Sequence, residues 1–181
     1  MVKIDLITGF LGSGKTTFIK KYATYLMRKG LNIGILENDH GAVNVDMMLL
    51  QELRGDQCEL EMIAGGCDAE SHRRRFRTKL ISMRMCGYDR VLVEPSGIYD
   101  VDEFFDVLRE EPLDQWYEIG NVIAILDARL ENNLSQQADY LLASEAANAG
   151  KVILSHADAA TREQCEDLSL IHISEPTRQE A

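Results

Sequence analysis

The sequence predicts an α/β fold, a three-layer α/β/α sandwich built around a mainly parallel sheet. Short, continuous apolar runs are typical of strands buried on both faces, and amphipathic helical patterns separate them along the chain. A glycine-rich segment, residues 9–16, stands between the first such strand and the first helix. Because ligands of these sheets bind beyond the carboxyl ends of the strands, we expect the loops at those ends to converge on one site.

The first strand and the first helix flank the glycine-rich segment. Residues 3–8 are a short, mainly apolar run that indicates a buried strand. After the segment, apolar side chains recur at helical spacing, at Phe18, Ile19, Tyr22, Ala23, Leu26 and Met27. Lys29 and Gly30 are expected to end this helix.

The rest of the chain alternates between strands and helices. Further strands are expected at residues 32–36, 59–63, 90–94, 121–126 and 151–154. Further helices are expected at residues 69–85, where Gly87 follows, at 101–108, and at 135–149, where Gly150 follows. Polar loops are expected at residues 37–41 and 110–116.

Residues 9–16 match the phosphate-binding pattern G-x-x-x-x-G-K-[ST] at every fixed position. Glycines let such a loop curl so that its N–H groups surround an anion, and the helix that follows directs its positive dipole end at the phosphates. The lysine of the pattern contacts the β- and γ-phosphates, and its hydroxyl residue can ligate Mg²⁺. The sequence therefore predicts a P-loop NTPase whose nucleotide-binding residues are Gly9, Gly12, Ser13, Gly14, Lys15, Thr16 and Thr17.

A second candidate segment follows the strand at residues 90–94. Glu94 ends that apolar strand, and Pro95-Ser96-Gly97 comes next, as in a Walker-B strand. A carboxylate at this position can hold Mg²⁺ directly or through water, and Gly97 can present its N–H group to a γ-phosphate.

A third segment, Ser155-His156-Ala157-Asp158, follows the last strand, where many GTPases carry Asn-Lys-x-Asp. The aspartate of that motif accepts hydrogen bonds from guanine, which excludes adenine. Asp158 keeps this role in the sequence, while serine and histidine replace the usual asparagine and lysine. GTP is therefore the expected nucleotide, and an ATP-using P-loop protein stays open as an alternative.

Composition limits the partners and the location. The chain has 181 residues and a net charge of −11, which argues against nucleic acid or an anionic membrane as a partner. The basic run at residues 72–79 is interpreted as a solvated helix face, with a patch that docks a partner as the alternative. No apolar stretch approaches the roughly 20 residues of a membrane span. The first strand leaves no room for a signal peptide, and the four cysteines lack disulfide spacing, so a reduced, cytoplasmic protein is expected.

Together these motifs resemble the CobW/UreG/HypB class of metal-homeostasis P-loop GTPases, in particular its CobW-like members. The resemblance covers residues 2–160. It rests on four segments: residues 8–17, Glu37-Asn38-Asp39 as switch I, Glu94-Pro95-Ser96-Gly97 as switch II, and the strand end Leu126-Asp127-Ala128. It implies Mg²⁺-dependent hydrolysis of GTP to GDP, coupled to delivery of a metal or cofactor to a client protein. The implied catalytic residues are Lys15, Asp39, Glu94 and Gly97, and the Mg²⁺ ligands are Thr16, Glu94 and Asp39. A homodimer is left open.

The transition-metal motif departs from the resembled class, whose CobW-like members usually carry Cys-x-Cys-Cys after a glycine. Here Gly66 is followed by Cys67-Asp68-Ala69-Glu70, so one cysteine remains. Zn²⁺ or another transition metal prefers several thiolate or imidazole ligands. Cys67 is either a reduced, non-ligating cysteine or part of a mixed site completed by Glu70, His72 or His40.

Residues 1–167 are expected to form one GTPase domain that lacks its final elements. Residues 168–181 resemble the in-frame translation of a sequencing-library adapter and are expected to be a non-native tail. An alternative to an active GTPase is a nucleotide-gated binding module, in which GTP controls docking to a client with negligible turnover.

Overall fold

The computed structural model describes residues 1–10, 12–39, 45–64, 69–95, 101–129 and 146–161. Within them, six parallel strands form one sheet in the order β3-β2-β4-β1-β5-β6. The strands are β1 (Val2–Thr8), β2 (Ile33–Asp39), β3 (Cys58–Ala64), β4 (Arg90–Glu94), β5 (Tyr117–Asp127) and β6 (Lys151–Ser155). The predicted α/β architecture with a parallel sheet is confirmed.

Helices join the strands and cover both faces of the sheet. They are α1 (Lys15–Arg28), α2 (Val45–Leu50), which a 3₁₀ turn at Gln51–Leu53 follows, α3 (Ala69–Arg84), α4 (Val101–Leu108) and α5 (Leu113–Trp116). Residues 146–148 are helical, whereas most of the helix predicted at 135–149 lies outside the described residues. In the part of the chain that the structure describes, no helix is long and apolar enough to cross a membrane.

Several details of the predicted secondary structure were wrong. Residues 37–39, expected in a loop, extend β2, because Glu37, Asn38 and Asp39 pair with β3. The predicted loop at residues 110–116 contains α5, whose Leu113 is fully buried. The fifth strand starts at Tyr117 rather than at residue 121, because its first residues pair with β1.

The sheet separates two apolar clusters. On one face, α1 packs Ile19, Ala23 and Leu26 against strand residues such as Ile35 and Leu92. On the other face, aromatic and aliphatic side chains of α3 and α4 pack against β1, β4 and β5, with Phe76, Leu80, Phe104 and Val107 at the centre. Burial of these side chains fixes α1, and with it the glycine-rich loop that precedes α1, over the carboxyl edge of the sheet.

Candidate functional site

The glycine-rich loop adopts the curled backbone that its sequence predicts. Gly9, Gly12 and Gly14 have φ angles of 141°, 80° and 91°, in the region that side chains other than glycine rarely adopt. A Cβ atom at Gly9 would also collide with the carbonyl oxygen of Ile125 on β5. Helix α1 begins directly after the loop, where the Phe18 N–H group donates to the Gly14 carbonyl at 3.0 Å. The described residues of the loop thus place a curled, glycine-rich backbone at a helix N-terminus, which suits an anion.

Lys15 is buried within this loop. Its Nζ atom donates to the carbonyl oxygens of Gly9 at 2.8 Å and Phe10 at 3.0 Å, and it lies 3.9 Å from Glu94 Oε1 at the end of β4. Ser13 is 3% exposed, and its buried hydroxyl has no hydrogen-bond partner among the described residues. A buried hydroxyl and a buried cation at the N-terminus of a helix fit the phosphates of a nucleotide.

Two buried carboxylates lie beside each other at the carboxyl edge. Glu37 of β2 and Glu94 of β4 are register partners, and they are 2% and 7% exposed. Register partners on parallel strands project to the same face of the sheet, which here is the face that α1 covers. Buried carboxylates need compensating positive charge, so Lys15 together with a divalent cation suits this pair. Asp39 ends β2 two residues further on.

Several predicted site residues lie outside the described residues. They are Gly97, Cys67 and His40, so their predicted roles stay predictions. Of the other residues considered for a mixed metal site, Glu70 is exposed and His72 is buried on α3. Among the residues that the structure describes, no group of three or more histidine, cysteine, aspartate or glutamate side chains could hold a metal ion.

The predicted base-recognition segment starts at the end of β6, the edge strand next to β5. Ser155 Cβ lies 3.7 Å from the position that a Cβ on Gly14 would take, so the segment adjoins the glycine-rich loop. His156 has a φ of 53°, and its Nδ1 atom lies 3.1 Å from Ser155 Oγ and 3.3 Å from Asp127 Oδ2. Asp158 is exposed in the turn that follows. The segment and the loop therefore face one site, as the parallel order predicts.

Asp127, the last residue of β5, carries a carboxylate with an unusually low pKa. Hydrogen bonds from the Arg129 side chain lower the pKa of Asp127 to about 2, with further contributions from the Arg129 backbone and His156. Asp127 was noted in the sequence as the residue that follows an apolar strand and through the family resemblance, but no role was assigned to it, and Arg129 was not recognised. Glu37 was named through the resemblance as part of the switch-I segment, but it was not in the predicted catalytic set. Both Asp127 and Glu37 follow an apolar run in the sequence, as Glu94 does, and this position could have identified them as candidate site residues.

Sequence comparison finds relatives of this chain among curated proteins. The zinc chaperone YeiR of Escherichia coli is 30% identical over 166 residues, which cover 90% of this chain and 49% of YeiR. The zinc chaperone YjiA of Escherichia coli is 28% identical over 171 residues, which cover 88% of this chain and 50% of YjiA. The chain thus spans about half the length of the curated relatives it matches.

Solved structures confirm the fold. The crystal structure of Zn(II)-bound YjiA GTPase from E. coli superimposes with a TM-score of 0.60 at 20% identity, over 93% of this chain and 54% of that one. The family model of the CobW/HypB/UreG nucleotide-binding domain matches residues 3–176. The chain therefore belongs to the CobW/HypB/UreG family, through its nucleotide-binding domain.

Proposed function

We propose that this chain binds GTP with Mg²⁺ and hydrolyses it to GDP, and that this cycle is coupled to delivery of a metal ion to a client protein. The observation that carries the proposal is the position of Lys15, whose Nζ lies within the curled loop and 3.9 Å from Glu94. Family membership supports nucleotide binding, and two relatives are named zinc chaperones.

The chain's own residues act by position and charge. Lys15 and the N–H groups of the loop stabilise negative charge on the β- and γ-phosphates. Gly97 and Asp39 would respond to the γ-phosphate, and Asp158 would accept hydrogen bonds from guanine. Thr16, Glu94 and Asp39 would hold Mg²⁺, which neutralises charge on the phosphate oxygens when bound. Phosphoryl transfer requires little covalent chemistry from the protein, so we expect this set to support slow hydrolysis.

Hydrolysis is tested by phosphate release from GTP, with Lys15→Ala as the inactive variant and Lys21→Ala as its matched control. Lys21 is an exposed lysine of the same helix and lies outside the loop. We expect Lys15→Ala to lose phosphate release and Lys21→Ala to keep it. Wild-type release no greater than that of Lys15→Ala would remove the proposed hydrolysis. Retained GTP binding in that case would favour the nucleotide-gated binding module.

Metal delivery is the second part of the proposal, with Zn²⁺ as the cargo and Cys67 as a ligand. It is tested by Zn²⁺ titration of Cys67→Ser against Cys86→Ser, because Cys86 is an exposed free cysteine on the turn after α3. A thiolate is a preferred Zn²⁺ ligand, so we expect Cys67→Ser alone to weaken binding. Equal affinities for the two variants would exclude Cys67 from the site.

A further inference from the structure

Arg129 lies in the turn after β5, and Asp127 holds it in a fixed orientation. Asp127 Oδ1 accepts the Arg129 backbone N–H at 2.9 Å and its Nε–H at 3.0 Å, and Oδ2 accepts an Nη2–H at 2.7 Å. Two side-chain bonds from one guanidinium to one carboxylate fix the plane of the guanidinium as well as its position.

The same carboxylate is joined to the base-recognition segment. Asp127 is the register partner of Ser155, and the Ala128 N–H group donates to the Ser155 carbonyl at 2.9 Å. His156 Nδ1 lies 3.3 Å from Asp127 Oδ2. The turn that carries Arg129 and the segment that carries Asp158 are therefore one hydrogen-bonded unit beside the glycine-rich loop.

Arg129 differs from Asp127 in charge and in exposure to solvent. The Asp127 side chain is 16% exposed, whereas that of Arg129 is 50% exposed. The hydrogen bonds to Asp127 raise the pKa of the guanidinium, and the negative charge of Asp158 contributes in the same direction. The segment itself has histidine at position 156, where the Asn-Lys-x-Asp motif has a permanently charged lysine. Arg129 therefore brings a permanent, planar cation to this region from the neighbouring strand.

We propose that Arg129, oriented by Asp127, is a further nucleotide-contacting residue, on whose guanidinium the guanine ring of GTP stacks. This inference rests on the proposed GTP binding. Arginine stacks on aromatic ring faces through its planar charge, and stacking does not read the edge of the base. Arg129 thus contributes affinity for the base, while recognition of guanine is left to Asp158.

The test compares Arg129→Ala with Arg109→Ala in the 181-residue chain. Arg109 is a matched control, because it is also an exposed arginine beside an aspartate, Asp106, at 3.6 Å. Isothermal titration measures the affinities for GDP, for IDP, which lacks the guanine amino group, and for tripolyphosphate, which has no base. We expect Arg129→Ala to weaken GDP and IDP equally, by about 2- to 30-fold, and to leave tripolyphosphate binding unchanged. Arg109→Ala should change none of these affinities.

Two further variants separate stacking from simple charge. Arg129→Lys keeps the charge without the planar face and is expected to lose nearly as much GDP affinity as Arg129→Ala. Asp127→Asn weakens the orienting hydrogen bonds and is expected to reduce GDP affinity without affecting tripolyphosphate.

The outcomes that overturn the inference are distinct from failure of the proposed function. Full GDP affinity in Arg129→Lys, or an equal loss of tripolyphosphate affinity in Arg129→Ala, would show that Arg129 acts only as a charge. Wild-type GDP affinity in Arg129→Ala would remove its contact with the base and leave the proposed GTP binding intact. A wild-type chain that binds neither GDP nor GTP would overturn both proposals.

Discussion

Asp5 accepts a 2.6 Å hydrogen bond from the backbone N–H group of Asn121, at the point where β5 is irregular beside β1. Ile4 pairs with Ile119 but Leu6 pairs with Val122, so β5 has one extra residue there. The fully buried Asp5 carboxylate also accepts hydrogen bonds from the Tyr22 hydroxyl at 2.8 Å and from Arg90 at 2.9 Å. One carboxylate thus connects β1, β4, β5 and α1.

Replacing Asp5 by alanine should strongly destabilise the fold. The change leaves Arg90 without its carboxylate partner and removes the acceptor of Tyr22, and breaking a buried ion pair in this way costs about 3–5 kcal/mol. Urea unfolding measures the loss, with Glu118→Ala, an exposed acid on β5, as the control. An unfolding free energy within about 1 kcal/mol of wild type would contradict a stabilising role for this network.

Gly9→Ala should abolish nucleotide binding, whereas Gly12→Ala should weaken it. Both glycines have positive φ, but only the Cβ at Gly9 would collide with β5 and approach Ser13 Oγ, at 2.9 Å. The methyl group at Gly9 therefore distorts the loop, while at Gly12 the cost is backbone strain of about 1–2 kcal/mol. Fluorescence titration with a labelled GDP checks the order. Equal affinities for the two variants would show that contact with β5 does not shape the loop.

Glu94→Gln should weaken the apparent Mg²⁺ affinity in GTP hydrolysis by about 10- to 100-fold, the range seen when a residue that supports a metal is lost. Glutamine keeps the size of the side chain and removes its charge. The apparent Mg²⁺ affinity is measured from phosphate release over a range of Mg²⁺ concentrations. Lys20→Gln, which removes a charge from the exposed Lys20–Glu52 ion pair, is the control. Unchanged Mg²⁺ dependence in Glu94→Gln would exclude the carboxylate from the metal site.

Asp127 should stabilise the fold above about pH 4 and lose this effect as the pH falls towards 2. Its pKa is about 2 in the folded chain against an ordinary value of 3.8, so the unfolded chain takes up the proton first as the solution is acidified. Urea unfolding between pH 5 and pH 2.5 should therefore show a smaller acid-induced loss for Asp127→Asn than for wild type. Asp106→Asn, at an exposed acid, is the control. Parallel pH profiles for wild type and Asp127→Asn would contradict this assignment.

The sequence was sufficient for the features that depend on local pattern. Strands such as β4 and the glycine-rich loop were located because apolar runs and fixed glycine spacing are local signals. The end of β2 was not located, because Glu37–Asp39 are polar and become a strand only by pairing with β3, more than twenty positions away along the chain. The pairing of Asp127 with Ser155 likewise depends on strand register, which a single sequence does not encode in either segment alone.

Lys15 has acceptors of its own within the fold, the carbonyl oxygens of Gly9 and Phe10. An ammonium group has three N–H donors and these two carbonyl groups use two of them, so a phosphate oxygen can accept from the third without displacing either partner. The position of the charge is thus fixed before an anion arrives, and the entropy of ordering a long side chain is not lost again on binding.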